Sequence, residues 1–244
     1  MNVRRILRRS ETFVGLVHDA RKLTAMPRRL GQLRHGHELV EAYLRSHVVR
    51  KLHIGAGPAL LEGWLNTDLA PASPQVALLD ATKPFPLPDA SFDYAYSEHM
   101  IEHLPYAAGL AMLRECHRVL RPGGTIRIAT PDLAVFLGLY GHESEPACER
   151  YVHWATDRYL NGRGTYLASL VINNIFRDWG HQFLYDGELL GAALVDAGFA
   201  HVRRARAGQS EDEHLRGIES HGKVVHDEDM GAFETLVLEA ERPA

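Results

Sequence analysis

The order of its apolar runs constrains this chain more than any other feature. Strand-like runs at KLHI, GWLNTDL, QVALLD, FDYAYS, TIRIAT, HVRRARA and FETLVLEA are punctuated by Pro, Gly or Asp, and helix-like runs lie between several of them. The clearest helix covers 106–120, where Leu110, Leu113, Val119 and Leu120 can share a buried face and Pro122 and Gly123 of RPGG supply the stop. A second is expected in DGELLGAALVDAGF, with Asp186 as N-cap and Gly198 as C-terminal stop. This alternation predicts an α/β fold, a mainly parallel sheet with helices on both faces. Between residues 131 and 180 no strand signal appears, whereas ACERYVHWATDRYL and YLASLVINNIFRDW read as helical, so about 133–180 is expected to be a helical insertion forming a lid.

The 244 residues, 45% of them hydrophobic, suffice for one large domain with a substantial core. No apolar run approaches the roughly 18 residues that cross a bilayer, and MNVRRILRRSETF places charges where a signal peptide needs an apolar stretch, so a soluble, cytoplasmic protein is expected. Cys116 and Cys148 cannot build a disulfide framework, and neither has a second cysteine at metal-ligand spacing. Charge is unevenly distributed. Residues 1–51 hold 12 Lys and Arg against 4 Asp and Glu, the remainder 15 against 27. The basic segment carries Val3, Ile6, Leu7, Phe13, Val14 and Val17 at helical intervals, which predicts a helical cap over residues 1–48, ahead of a main domain over 49–244. Its basic face is either solvated or suited to peripheral contact with an anionic membrane. The acidic remainder argues against a nucleic-acid footprint. A homodimer is compatible with the sequence.

The first strand-like run ends in a glycine turn. Gly55 and Gly57 allow a sharp bend at a strand's carboxyl end and let a ligand approach the main chain. Asp68 closes the next run, where a carboxylate can accept hydrogen bonds from both hydroxyls of a ribose. Asp80 ends the third, and with the amide of Ala81 it could read an exocyclic amine and ring nitrogen of adenine. Three successive strand ends thus offer glycines, a ribose acceptor and an adenine reader at the crevice where doubly wound sheets bind ligands. Ordinary turn residues would look the same singly.

LHIGAGP, DATKPFPLPDASFDYAYSEHMIEHL and LRECHRVLRPGGTIRIATPDL resemble the successive motifs of class I S-adenosylmethionine-dependent methyltransferases, closest to bacterial members associated with surface-polysaccharide and small-molecule pathways. The resemblance runs from about residue 51 to the end. It implies a Rossmann-like sheet of seven strands with the last antiparallel. It places His53, Gly55, Ala56, Gly57, Asp68, Leu69, Asp80, Ala81, Ser97 and Glu98 around S-adenosylmethionine, with Ser97 beneath the methionine end. Two positions depart from the pattern: His53 stands where an acidic residue is common, and Ala59 replaces the third glycine. The short distance from Gly57 to Asp68 implies that the first helix is reduced to a turn around PALLEG.

Methyl transfer from a sulfonium is an in-line displacement that depends on alignment and exclusion of water. A hydroxyl acceptor also needs a base, and His99 and His181 are the leading candidates for catalysis: His99 follows the strand-end Ser97, and His181 follows the lid. Tyr185, Asp178 and Asp132 are weaker candidates. HMIEH matches the H-x-x-E-H pattern of inverted zinc peptidases through His99, Glu102 and His103, but such a site needs a long helix and a third protein ligand, and Pro105 ends the segment. No metal is assigned, and Glu102 and His103 are read as structural. The 208–222 loop, with Arg216, His214 and His221, either grips a hydroxylated substrate or is a solvated hairpin. Tyr151, Trp154, Tyr159 and Trp179 either stack on an acceptor ring or form the lid's own core. The expected activity is O-methylation of a sugar, glycolipid precursor or small metabolite. The rival is a catalytically silent relative acting as a binding subunit.

Overall fold

The computed structural model describes residues 31–142, 145–160 and 164–244. The apolar pattern at Val3 to Val17 lies outside them. Among the described residues, residues 31–46 are helical (α1) and precede seven strands: β1 (Lys51–Ile54), β2 (Leu65–Asp68), β3 (Ala77–Leu78), β4 (Phe92–Glu98), β5 (Leu120–Pro131), β6 (Ala200–Ala205) and β7 (Thr235–Glu241). They form one sheet in the order β3-β2-β1-β4-β5-β7-β6. Pairing is parallel from β3 through β5, and β7 runs antiparallel to both its neighbours, so the last strand alone is reversed. The direction of winding changes between β1 and β4, so their carboxyl ends form the switch point at which sheets of this kind bind ligands.

Helices α2 (Tyr106–Val119) and α6 (Gly187–Asp196) pack Met112, Leu113, Cys116, Val119, Leu190 and Leu194 into the same core as Leu52, Ile54, Phe92 and Ala95 of the strands. Each such side chain, fully buried, contributes about 1.5–3 kcal/mol. The α6 caps are as expected: the Asp186 carboxylate accepts the Leu189 amide at 2.8 Å, and Gly198 takes φ +103° just past the end. The end of α2 differs. Helix stops at Val119, Leu120 is already extended and pairs with Phe92, and RPGG lies within β5. The helix thus stops within a residue of the expected end, and pairing with β4, through a register shift between Phe92 and Tyr94, draws RPGG itself into the strand that follows.

The insertion is helical, as the missing strand signal implies. It comprises α3 (Leu133–Gly141), α4 (Pro146–Tyr159) and α5 (Ala168–Arg177), whose Phe136, Leu139, Tyr151, Val152, Val171 and Ile175 form a second core. Between β6 and β7 lie the short helices α7 (His221–Val224) and α8 (Glu228–Glu234). Helix α1 docks through Val40 and Tyr43, whose hydroxyl accepts the Lys51 amide at 2.8 Å and donates to the Gly63 carbonyl at 3.0 Å. No described helix is long and apolar enough to cross a membrane. Both cysteines are buried, and burial raises the Cys116 thiol pKa.

Candidate active site

At the carboxyl edge of β1 and β2 the main chain makes most of the geometry. Gly55 and Gly57 both have positive φ, +72° and +50°, and the Gly55 and Ala56 amides donate to the Thr67 carbonyl. A Cβ on Gly55 would lie 2.5 Å from Met100 Cγ, so only glycine fits beneath that side chain. Asp68 Oδ2 accepts the Gly57 amide at 2.9 Å and Oδ1 accepts the Ala70 amide at 2.8 Å, which fixes the carboxylate at the turn while each oxygen keeps a further lone pair. No helix forms between β1 and β2, as the short spacing implies. In its place buried Asn66 holds the loop: its Oδ1 accepts the Leu61 amide at 2.9 Å, and its Nδ2 donates to the carbonyls of Leu61 and Trp64 at 2.9 and 3.2 Å.

The other residues expected at this edge fall into two groups. Ser97, the last residue but one of β4, pairs with Ile54, and its buried Oγ has no hydrogen-bond partner among the described residues. Asp80, just beyond β3, accepts the Thr82 amide and hydroxyl at 3.0 and 2.6 Å, with Ala81 half-buried and Leu69 60% exposed nearby along the same edge. This set fits an adenosyl ligand: open glycine backbone, an anchored carboxylate with spare lone pairs, and an orphaned serine hydroxyl at the switch point. His53 and Glu98 have other contacts. His53 is buried against Tyr96, and its Nδ1 lies 3.0 Å from Asn66 Oδ1, so it braces the turn from below. Burial lowers its pKa, and Asn66 offsets this only in part. Glu98 accepts the amides of Ser220 and His221 and the Ser220 hydroxyl at 2.7–3.0 Å.

Those contacts of Glu98 build the neighbouring site. A second tie comes from Arg127 of β5, fully buried, which donates to Glu219 and Glu239 at 2.5 Å each and to the Arg206 carbonyl at 3.2 Å. The 208–222 loop is thus pinned to the sheet, which excludes the solvated hairpin, and His221 is carried to the mouth of β4. There its ring stacks on His99 at 3.5 Å and its Nε2 meets Glu234 Oε1 at 2.6 Å. Glu234 also accepts the Tyr151 hydroxyl. This His–carboxylate pair has no sequence signature; Glu234 sits 13 residues from His221 at the end of α8.

His99 adopts a left-handed φ of 45°, held by its amide bond to the Ala129 carbonyl, a strained conformation of the kind found at functional turns. Its Nε2 donates to Thr235 Oγ1 at 3.2 Å, since that hydroxyl spends its own proton on the Gly231 carbonyl. Its Nδ1 faces Glu102 Oε1 at 3.4 Å. Burial opposes the charged ring, but Glu102, with Glu234 and Glu98 beyond it, more than compensates, and His99 titrates above the usual 6.5. Burial likewise opposes the charge on Glu102, yet its contact with His99 holds its pKa below the usual carboxylate value.

A cavity of about 280 Å³ opens between these histidines and the lid, lined by His99, Glu102, His103, His181, His221 and Glu234 on one side and by Phe136, Tyr151, Tyr159, Val171, Ile175 and Trp179 on the other. The lid aromatics pack on one another: Tyr151, Trp154, Tyr159 and Trp179 meet in series, tilted or edge to face, at 4.9–5.4 Å, and three of them also line the cavity. His181 lines the same cavity, its Nδ1 2.7 Å from the Ile175 carbonyl, and burial lowers its pKa. The weaker candidates are structural. Asp132 caps α3 and pairs with Arg204 at 2.6 Å, Asp178 accepts from Asn174, and Tyr185 is buried against Gly109.

Residues 52–128 match the family model described as a methyltransferase domain. A probable S-adenosylmethionine-dependent methyltransferase of Mycobacterium tuberculosis is 32% identical over 143 residues, 55% of this chain and 47% of that relative. A second, from Mycolicibacterium smegmatis, is 47% identical over 51 residues, 21% of this chain and 19% of that protein. The chain spans about half the length, or less, of the curated relatives it matches. Among solved structures, a methyltransferase dependent on S-adenosylmethionine from Archaeoglobus fulgidus is 21% identical, with a TM-score of 0.48 over 84% of this chain and 93% of that one.

Proposed function

We propose that the chain is an S-adenosylmethionine-dependent methyltransferase that methylates an oxygen of a ring-bearing acceptor, a sugar, glycolipid precursor or small metabolite, held beneath the helical lid. One observation carries this reading: the segment from Ser97 to His103 joins the glycine and aspartate edge directly to the lid-covered cavity, so donor and acceptor sites share a wall.

When bound, the cofactor would supply a methyl group on a sulfonium, whose carbon would bond to an acceptor oxygen in line as the carbon–sulfur bond breaks and the neutral thioether leaves. Gly55, Gly57, Asp68 and the orphaned Ser97 hydroxyl would hold it, with Asp80 and Ala81 at the adenine end. The lid's aromatic wall supports a ring-shaped acceptor and keeps water out. For the proton of an acceptor hydroxyl, His221 is the best-placed base, since Glu234 orients its Nε2 and leaves Nδ1 as the second nitrogen, the arrangement by which a carboxylate aligns a catalytic imidazole. His99 has both nitrogens facing partners and serves as the charged neighbour of Glu102. As parts of the same proposal, residues 1–48 form a basic cap that favours an anionic surface, residues 49–244 form the catalytic domain, and the enzyme works in the cytoplasm without a nucleic-acid partner.

Calorimetric titration with S-adenosylmethionine, followed by mass spectrometry over a panel of hydroxylated acceptors, tests the reading. The expected result is cofactor binding and a product heavier by one methyl group. Absence of cofactor binding by folded protein would refute it.

A further inference from the structure

We propose that Glu102, His103 and His181 form a site for a first-row divalent cation of the zinc class, opening into the lid-covered cavity. One donor atom from each lies within 4.8 Å of the others. Donors around a tetrahedral zinc at about 2.1 Å stand about 3.4 Å apart, so side-chain rotation alone closes the set. Two imidazoles and one carboxylate suit zinc, cobalt or iron and disfavour magnesium and calcium, which prefer all-oxygen cages.

The ligand set differs from the one the HMIEH spacing suggests. His99 has its Nε2 on Thr235 and its Nδ1 beside Glu102, and the fold recruits His181 from beyond the lid as the third donor. The two ligand-bearing segments are stitched together by main chain: the Glu102 carbonyl accepts the amides of Gln182 and Phe183 at 2.8 and 3.1 Å, and the Gln182 side chain donates to the His103 carbonyl at 2.6 Å. The spacing is therefore fixed without an ion.

Around the ligands stand the supports that metal-binding side chains commonly have. His181 Nδ1–H donates to the Ile175 carbonyl, which leaves Nε2 with its lone pair. The Thr130 hydroxyl donates to Glu102 Oε2 at 3.0 Å. Independently of the cluster's make-up, Glu102 Oε1 is fully buried in the cavity wall with no hydrogen-bond donor, its nearest cation being His99 at 3.4 Å outside bonding geometry. The His103 ring makes no hydrogen bond among the described residues. A buried carboxylate oxygen that has an ionic neighbour but no hydrogen bond, beside a half-buried imidazole with none, leaves donor capacity that a bound cation would use. Three protein ligands leave a coordination position facing the cavity, and, on the methyltransferase reading above, an acceptor's oxygen would take it.

The test is titration of the chelator-treated full chain with Co²⁺, read by visible absorption, and displacement by Zn²⁺. One Co²⁺ per chain is expected. His181→Ala and Glu102→Gln should each weaken it at least about tenfold, while His221→Ala leaves it unchanged. Parallel S-adenosylmethionine titration of each variant reports folding and separates the two readings: cofactor binding without Co²⁺ binding overturns the metal site alone, and Co²⁺ binding without cofactor binding overturns the methyltransferase alone. Co²⁺ uptake that persists in a His103→Ala, His181→Ala double variant belongs to other histidines and also overturns the site.

Discussion

At the glycine and aspartate edge, contacts are short in sequence and end on main chain; beneath the lid many span a hundred residues or are made between side chains. Gly57 reaches Asp68 across 11 residues, whereas His99 meets Thr235 across 136. The first region is a property of strand order and two backbone conformations. The second is assembled from the β4 turn, the lid, the stretch after it and the last loop, each held by its own buried polar contacts. The edge is thus generic to a fold and the cavity particular to a chain, which is where acceptor choice would be expressed.

If that contrast is right, substitutions on the two sides should separate cleanly. The largest effect is expected for His221→Ala, which should lower turnover about 10²–10⁴-fold with cofactor affinity unchanged, measured by single-turnover rates beside calorimetry. A parallel loss of affinity would erase the division. Asp68→Ala should do the reverse, removing about 1.5–3 kcal/mol of cofactor binding, or about tenfold to a hundredfold in Kd. Asn66→Ala probes whether the edge depends on side chains after all: losing its contacts to Leu61 and Trp64 should cost about 2–3 kcal/mol of stability in denaturant unfolding.

The smallest effect is a pH dependence. The folded-state pKa of His53 is depressed, so the unfolded chain binds the extra proton first. Its contribution to stability is intact above the ordinary histidine value of 6.5 and declines as pH falls below it. His53→Gln should flatten that part of a melting-temperature profile, and an unchanged slope would remove His53 from beneath the turn.

Legibility in the sequence follows the same division. Gly55, Asp68 and Asp80 could be put on one edge because each lies at a strand's end or within two residues of it, and strand ends in a parallel sheet share an edge wherever the helices go. The lid could be placed because its helices carry their own apolar periodicity. His221 could not, since nothing in ESHG shows that Glu98 will capture two of its amides. Nor does HMIEH reveal that Thr235 takes His99 and that His181 joins His103: that outcome depends on three hydrogen bonds between distant segments. RPGG correctly marks the end of the helix at Val119 but not the strand it joins, because that depends on a partner, β4, that a local turn signal does not show.

The guanidinium of Arg127 has one further consequence. Peeling the 206–219 stretch from the sheet would take Glu219 and the Arg206 carbonyl away from this buried guanidinium and leave it Glu239 alone, at the cost of a half-dismantled ionic network in the protein interior. That side of the molecule is in effect locked. Access to the cavity is then left to its other wall, where Tyr159, Val171, Ile175 and Trp179 of the insertion and the stretch after it line the space.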